Sequence, residues 1–160
     1  MGVSIQQNEV TNPSNPNVHS IEEFNALNRP IESLVVASGS CSDDSITELK
    51  INQLTQLRVL NIGNECFAHV REFEIIGVNA LERVQIGTSC FLSKEGVFRL
   101  RDCQRVRELR IGRFSFSDYS YCEIESVPSL EVIEIGDLKE PSYNFFSASL
   151  ELRSGLTEGD

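Results

Sequence analysis

Histidine is nearly missing from this 160-residue chain: only His19 and His69 occur. Basic residues are also short, 14 against 24 acidic ones, for a net charge of −10. A general nucleic-acid backbone binder needs clustered Lys and Arg, and so does a protein that sits on anionic lipid. Neither nucleic acid nor membrane is therefore an expected partner. No apolar run approaches the roughly 18 residues that would read as a transmembrane helix. The opening "MGVSIQQNEV" has no basic stretch followed by an apolar one, so no secretion signal is expected. Gln6 stands where a myristoylation signal wants Ser or Thr, and Pro13 blocks the "NPS" glycosylation site. Phosphate-binding loops, nucleophile elbows and H-E-x-x-H helices are all lacking. The chain is not expected to be an enzyme.

The cysteines are odd in number: Cys41, Cys66, Cys90, Cys103 and Cys122. Together with the missing signal, this points to reduced, buried thiols and a cytoplasmic setting. Cys66 and His69 form C-x-x-H, and Cys90 recurs at the place of Cys66. A closed zinc site needs a fourth ligand that no spacing supplies. A Cys–His nucleophile pair would need an orienting third group and an oxyanion site, equally unmarked. No metal and no cofactor are expected.

What the chain does have is repetition. "LNIGNECF" at 60–67 returns as "VQIGTSCF" at 84–91 and "LRIGRFSF" at 109–116, then decays to "IEIGDLKE" at 133–140. Gly63, Gly87, Gly112 and Gly136 are 24, 25 and 24 residues apart. A fixed period in this range is the mark of a solenoid. Before each glycine the apolar register repeats as L-x-x-L-x-I: Leu57, Leu60 and Ile62; Leu81, Val84 and Ile86; Val106, Leu109 and Ile111; Leu130, Ile133 and Ile135. The last two of each set alternate with polar residues, the period of a strand with one buried face. An earlier, weaker copy has Ile31, Leu34 and Val36, with Ala37 in place of the glycine and Cys41 near the Phe67 position.

Halfway round each coil lies a second alternating patch: "LKI" at 49–51, "FEI" at 73–75, "FRL" at 98–100 and "CEI" at 122–124. Stacked about 4.8 Å apart, the middle residues Lys50, Glu74, Arg99 and Glu123 form a ladder of alternating charge. Such a ladder would fix register, since opposite charges on neighbouring strands attract. Phe67, Phe91 and Phe116 are expected to turn inward and stack as core. The glycine is expected at a sharp turn or at positive φ. The fourth coil is expected to lose the aromatic to Glu140.

These residues resemble leucine-rich repeats. "LRVLNI", "LERVQI", "VRELRI" and "LEVIEI" match the L-x-x-L-x-L signature, and the "IG-x-x-C/S-F" ending is similar to the "IG-x-x-A-F" of the BspA-like subclass. The likeness covers about 120 residues. It implies a β-rich leucine-rich-repeat solenoid of about five coils, each of about 24–26 residues, with parallel strands on concave and convex sides. The usual turn asparagine is replaced by Glu65, Ser89 and Phe114, so an asparagine ladder does not follow from the likeness.

Residues 1–18 are rich in Asn, Gln, Ser and Pro and are expected to be disordered. Ser20 with Glu23, and Ile21, Phe24 and Leu27 on one face, predict a short capping helix broken at Asn28-Arg29-Pro30. The solenoid domain is expected over 19–153, ending in a closing strand "SASLELR", with 154–160 as a tail. A protein or peptide is the expected partner, bound on the concave sheet by Val59, Asn61, Arg83, Gln85, Glu108, Arg110, Val132 and Glu134, with the two arginines as anchors. The loop residues Phe114, Tyr119 and Tyr121 form a second candidate surface. The competing expectation is a structural subunit of a larger complex, or one that self-associates through a solenoid edge or the N-terminal segment.

Overall fold

Each coil folds because neither of its short strands can cover itself. A computed structural model describes residues 15–27 and 30–154, and within them the chain winds as a parallel β-solenoid of about five turns. In chain order the elements are β1 (Asn17–Val18), α1 (Ile21–Asn25), β2 (Ser33–Val36), β3 (Glu48–Lys50), β4 (Val59–Ile62) and β5 (Glu72–Ile76). They continue with β6 (Arg83–Ile86), β7 (Val97–Arg101), β8 (Glu108–Ile111), β9 (Tyr121–Glu125), β10 (Val132–Ile135) and β11 (Ser149–Arg153). The first sheet runs β1-β2-β4-β6-β8-β10 and the second β11-β9-β7-β5-β3, every pair parallel. β1 lies inside the segment expected to lack structure: Asn17 and Val18 pair with Val35 and Val36. Residues 1–14 and 155–160, and the break at Asn28 and Arg29, lie outside the described residues.

The repeated register is the sheet register. Leu34, Leu60, Val84, Leu109 and Ile133 stand opposite one another, as do Val36, Ile62, Ile86, Ile111 and Ile135. Lys50, Glu74, Arg99 and Glu123 are likewise cross-strand neighbours. Only part of that charge ladder closes. Arg99 reaches Glu74 at 3.3 Å, whereas Lys50 turns to Glu48 at 3.8 Å and Glu123 meets Arg101 at 3.3 Å.

The corner after each first-sheet strand has a chemistry of its own. Phe67, Phe91 and Phe116 are buried and stack at 5.5 and 4.8 Å. The column does not stop there. Phe145 stacks on Phe116 at 4.9 Å, with planes 7° apart. The expectation that the last coil loses its aromatic is therefore corrected: residues 137–141 are inserted, and "SYNF" at 142–145 resumes the corner. Cys41, Phe67, Phe91, Phe116 and Phe145 all hold φ between 49° and 60°. For bulky residues this costs about 1–2 kcal/mol. Burying a ring yields about 1.5–3 kcal/mol in return.

Of the four recurring glycines only Gly136 takes a positive φ. Gly63, Gly87 and Gly112 are absent from that conformation, while Gly39, Gly77 and Gly136 adopt it. A Cβ on Gly87 would lie 2.7 Å from the backbone of Gly63, and one on Gly112 would lie 2.6 Å from that of Gly87. Close coil-to-coil approach excludes a side chain there. One residue before each aromatic, a polar side chain spans to the preceding coil. Cys66 Sγ donates to Ala37 O (3.2 Å), Cys90 Sγ to Gly63 O (3.0 Å), Ser115 Oγ to Gly87 O (2.6 Å) and Asn144 Nδ2 to Gly112 O (2.7 Å). This thiol–hydroxyl–amide ladder supplies the donors for Gly63 O and Gly87 O and adds a second donor to Ala37 O and Gly112 O, which also accept from Ser40 N and Ser115 N.

The two ends differ. At the N-terminal end, Ser20 Oγ accepts from Glu23 N (3.2 Å) to start α1, and Phe24 and Val18 are buried with Leu34 and Val36. At the other end, β11 adds to β9 in register, Leu150 beside Cys122 and Leu152 beside Ile124. It does not close the solenoid, because nothing described covers Leu150 and Leu152, which are 59% and 68% exposed.

Candidate functional site

The eight outward residues expected to meet a partner do share one face. Val59, Arg83, Glu108 and Val132 form one cross-strand row, and Asn61, Gln85, Arg110 and Glu134 the next. Much of its charge is already engaged. Arg110 pairs with Glu134 and, at 3.5 Å, with Glu108. At the adjoining turns Arg58 holds Glu82 at 3.1 Å, and Arg107 holds Glu131 at 3.3 Å. Arg83 is exposed and makes no ion pair among the described residues.

The three loop aromatics do not form one surface. Tyr119 is fully buried, against Phe116 at 4.9 Å, and its hydroxyl donates to Val70 O at 2.6 Å. Its ring occupies the space that a Cβ on Gly96 would need. As a partner contact Tyr119 is thus corrected to core, since its polar tip has found a buried carbonyl. Burial pushes its hydroxyl well above the usual tyrosine range. Tyr121 sits on the second sheet, its hydroxyl 2.8 Å from Glu151 and 2.9 Å from Glu123. The neighbouring Glu151 carboxylate, chiefly, holds that hydroxyl up at about 12. Phe114 is half-buried, stacked on Tyr143 at 6.0 Å with the Arg113 guanidinium 5.0 Å from its ring.

The Cys66 sulfur is directed at the Ala37 carbonyl, whereas His69 is exposed. Among the described residues, no three metal-ligating side chains gather. All five cysteines are buried and free.

Sequence reasoning missed the most apolar surface. Exposed large hydrophobic side chains concentrate in the last coil: Ile133, Ile135, Leu138, Phe146, Leu150 and Leu152, with Tyr143 beside them. Elsewhere among the described residues, only Val35 and Leu92 are comparably open. Ile133, Ile135, Leu150 and Leu152 rim a cleft of about 90 Å³, floored by Cys122 and Ile124. β10 and β11 are also terminal strands of the two sheets, so among the described residues both present an unpaired backbone edge. The available signal was the absence of a further L-x-x-L-x-I-G after residue 136. A core-facing register with no following coil among the described residues leaves its side chains uncovered there. No protein family, curated protein or solved structure matches this chain. No described helix is long and apolar enough to cross a membrane.

Proposed function

We propose that the chain is a non-catalytic protein-interaction module whose main binding surface is the uncovered last coil. One observation carries the reading: the solenoid's inward register is buried in the middle coils and bare in the last. Contiguous exposed apolar surface on an otherwise acidic protein marks an association site. Two unpaired strand edges add directional hydrogen-bonding groups to it. On this reading α1 is the cap of the opposite end, and the repeats are relatives of leucine-rich repeats, supported by the L-x-x-L-x-I-G register. Five free buried thiols fit a reducing, cytoplasmic setting.

A second reading keeps the first-sheet face as the partner surface. Its support is exposed, unengaged Arg83 beside exposed Gln85. Affinity capture with parallel baits separates the two. Proteins lost with Leu150→Glu/Leu152→Glu but kept by Arg83→Glu/Arg110→Glu place binding at the open end. The opposite pattern places it on the strand face. Proteins retained by both baits would overturn both readings.

A further inference from the structure

We propose that the occupant of the open end is a second copy of this chain, docked end to end about a two-fold axis. The inference rests on the reading that the last coil is an interaction surface. Three features point to self-association. First, the seven exposed side chains of the last coil present on the order of 800 Å² of mainly apolar surface, the share of one partner in an interface of standard size. Second, the open end offers two strand edges, β10 and β11, separated by the width of the core. A second copy carries the same two edges at the same separation. A two-fold axis perpendicular to both the strands and the solenoid axis sets β10 against β10 and β11 against β11, antiparallel. Both edges are then paired at once, and Ile133, Ile135, Leu150 and Leu152 of each copy cover those of the other. Third, the apolar register is covered at the other end among the described residues. Leu34 and Val36 at the N-terminal end are buried with Val18 and Phe24. The contact therefore closes as an isologous dimer and does not propagate into a filament.

Charge does not oppose this arrangement strongly. The outward carboxylates nearest the edges are Glu134 and Glu151, and each is paired within its own chain, to Arg110 and Arg153. The remaining repulsion between two chains of net charge −10 is long-range and screened by salt. Added salt should tighten the dimer.

Sedimentation velocity across the micromolar range tests the assignment. The wild type should sediment as a dimer of the 17.9 kDa chain. Leu150→Glu/Leu152→Glu should weaken association on the order of 100-fold, because four carboxylates would be desolvated at its centre. Phe146→Glu, in the turn before β11 and outside both strands, should weaken it without altering a strand residue and guards against a folding defect in the double variant. Arg83→Glu should leave it intact. A wild type that stays monomeric overturns the second copy as occupant. The broader reading then survives only if capture still depends on Leu150 and Leu152. A dimer that persists in both end variants overturns the end as the interface. A dimer dispersed by Val3→Asp/Ile5→Asp as fully as by the end variants assigns the occupant to the N-terminal segment and overturns the end-to-end arrangement.

Discussion

Leu109 and Ile111 in β8 are buried, whereas Ile133 and Ile135, one coil on in the same register, are 41% exposed. The residues are of one type, the two strands pair with each other in register, and the preceding glycine-to-glycine spacings, 25 and 24, differ by a single residue. Only the following coil differs. Burial in this fold belongs to the neighbour and not to the residue, which is why a solenoid coil has no stability alone. The same contrast separates the two ends. Val18 and Phe24 are buried where the first coil begins, and Phe146 is 74% exposed where the last one turns.

The largest expected effect lies where coils approach most closely. Gly87→Ala would drive a Cβ into the Gly63 carbonyl, and backbone cannot swing aside as a side chain can. The cost should be at least about 3 kcal/mol. Gly39→Ala meets no atom within 4 Å and strains only a φ of +77°, for a cost of about 1 kcal/mol. Urea denaturation of both variants checks the difference. Equal losses would mean that the glycine column is not a steric one.

Next comes the register pair itself. Ile111→Ala should cost about 2–5 kcal/mol, the range for a buried aliphatic truncation. Ile135→Ala should cost less than about 1 kcal/mol in the monomer. Run at high concentration, the Ile135 variant should lose more if the end is covered by a second copy. Chemical denaturation at two protein concentrations therefore sharpens the comparison as well as testing it.

A smaller effect separates the ladder donors. Ser115→Ala leaves the Gly87 carbonyl without its 2.6 Å donor inside the stack, for about 1–3 kcal/mol. Asn144→Ala removes bonds to Gly112 O and Ser115 O, at 2.7 and 2.9 Å. Water can reach the last coil and partly replace them, so the loss should stay near 1 kcal/mol. Thermal melts that reverse this order would show the last corner to be as dry as the middle ones.

The stacking was legible in the sequence because its period and the L-x-x-L-x-I-G register are properties of each coil. The corner was less so. Phe, Cys and Glu at positive φ run against the habit that reserves this conformation for Gly and Asn, so nothing in "NECF" announces two left-handed residues, Glu65 and Phe67. The insertion at 137–141 hid Phe145 by breaking a spacing that had held in the coils before it. The open end was least legible of all. Leu150 and Leu152 alternate with polar residues as every buried strand does, and alternation reports which face points inward without reporting whether anything lies above it. The face residues Asn61 and Gln85 were placed correctly on one surface. The ion pairs that engage Arg110 depend on side-chain reach across neighbouring coils, which a one-dimensional pattern does not fix.

The thiols at the two ends give the smallest effect and a sign that can be worked out. Burial raises Cys41 from 9.0 to about 11 and Cys122 from 9.0 to about 12. A group with a raised folded-state pKa favours the unfolded chain once the unfolded chain ionises. The contribution of these two thiols should therefore be level below pH 9, fall as the pH rises toward 11, and flatten as each native thiol ionises in turn. Each thiol adds up to about 1.4 kcal/mol per pH unit within its window. Cys41→Ser and Cys122→Ser should each remove one contribution, and the Cys122 window should extend further upward. The comparison between ends enters through coverage. Cys122 floors the open cleft, so docking that covers it would add desolvation and push its window higher still, while leaving that of Cys41 in place. Urea midpoints measured from pH 8 to 11 at two protein concentrations would show a pH response that differs between the concentrations, a difference that vanishes in Cys122→Ser and persists in Cys41→Ser. A shift shared by both variants would separate the pH response from coverage of the end.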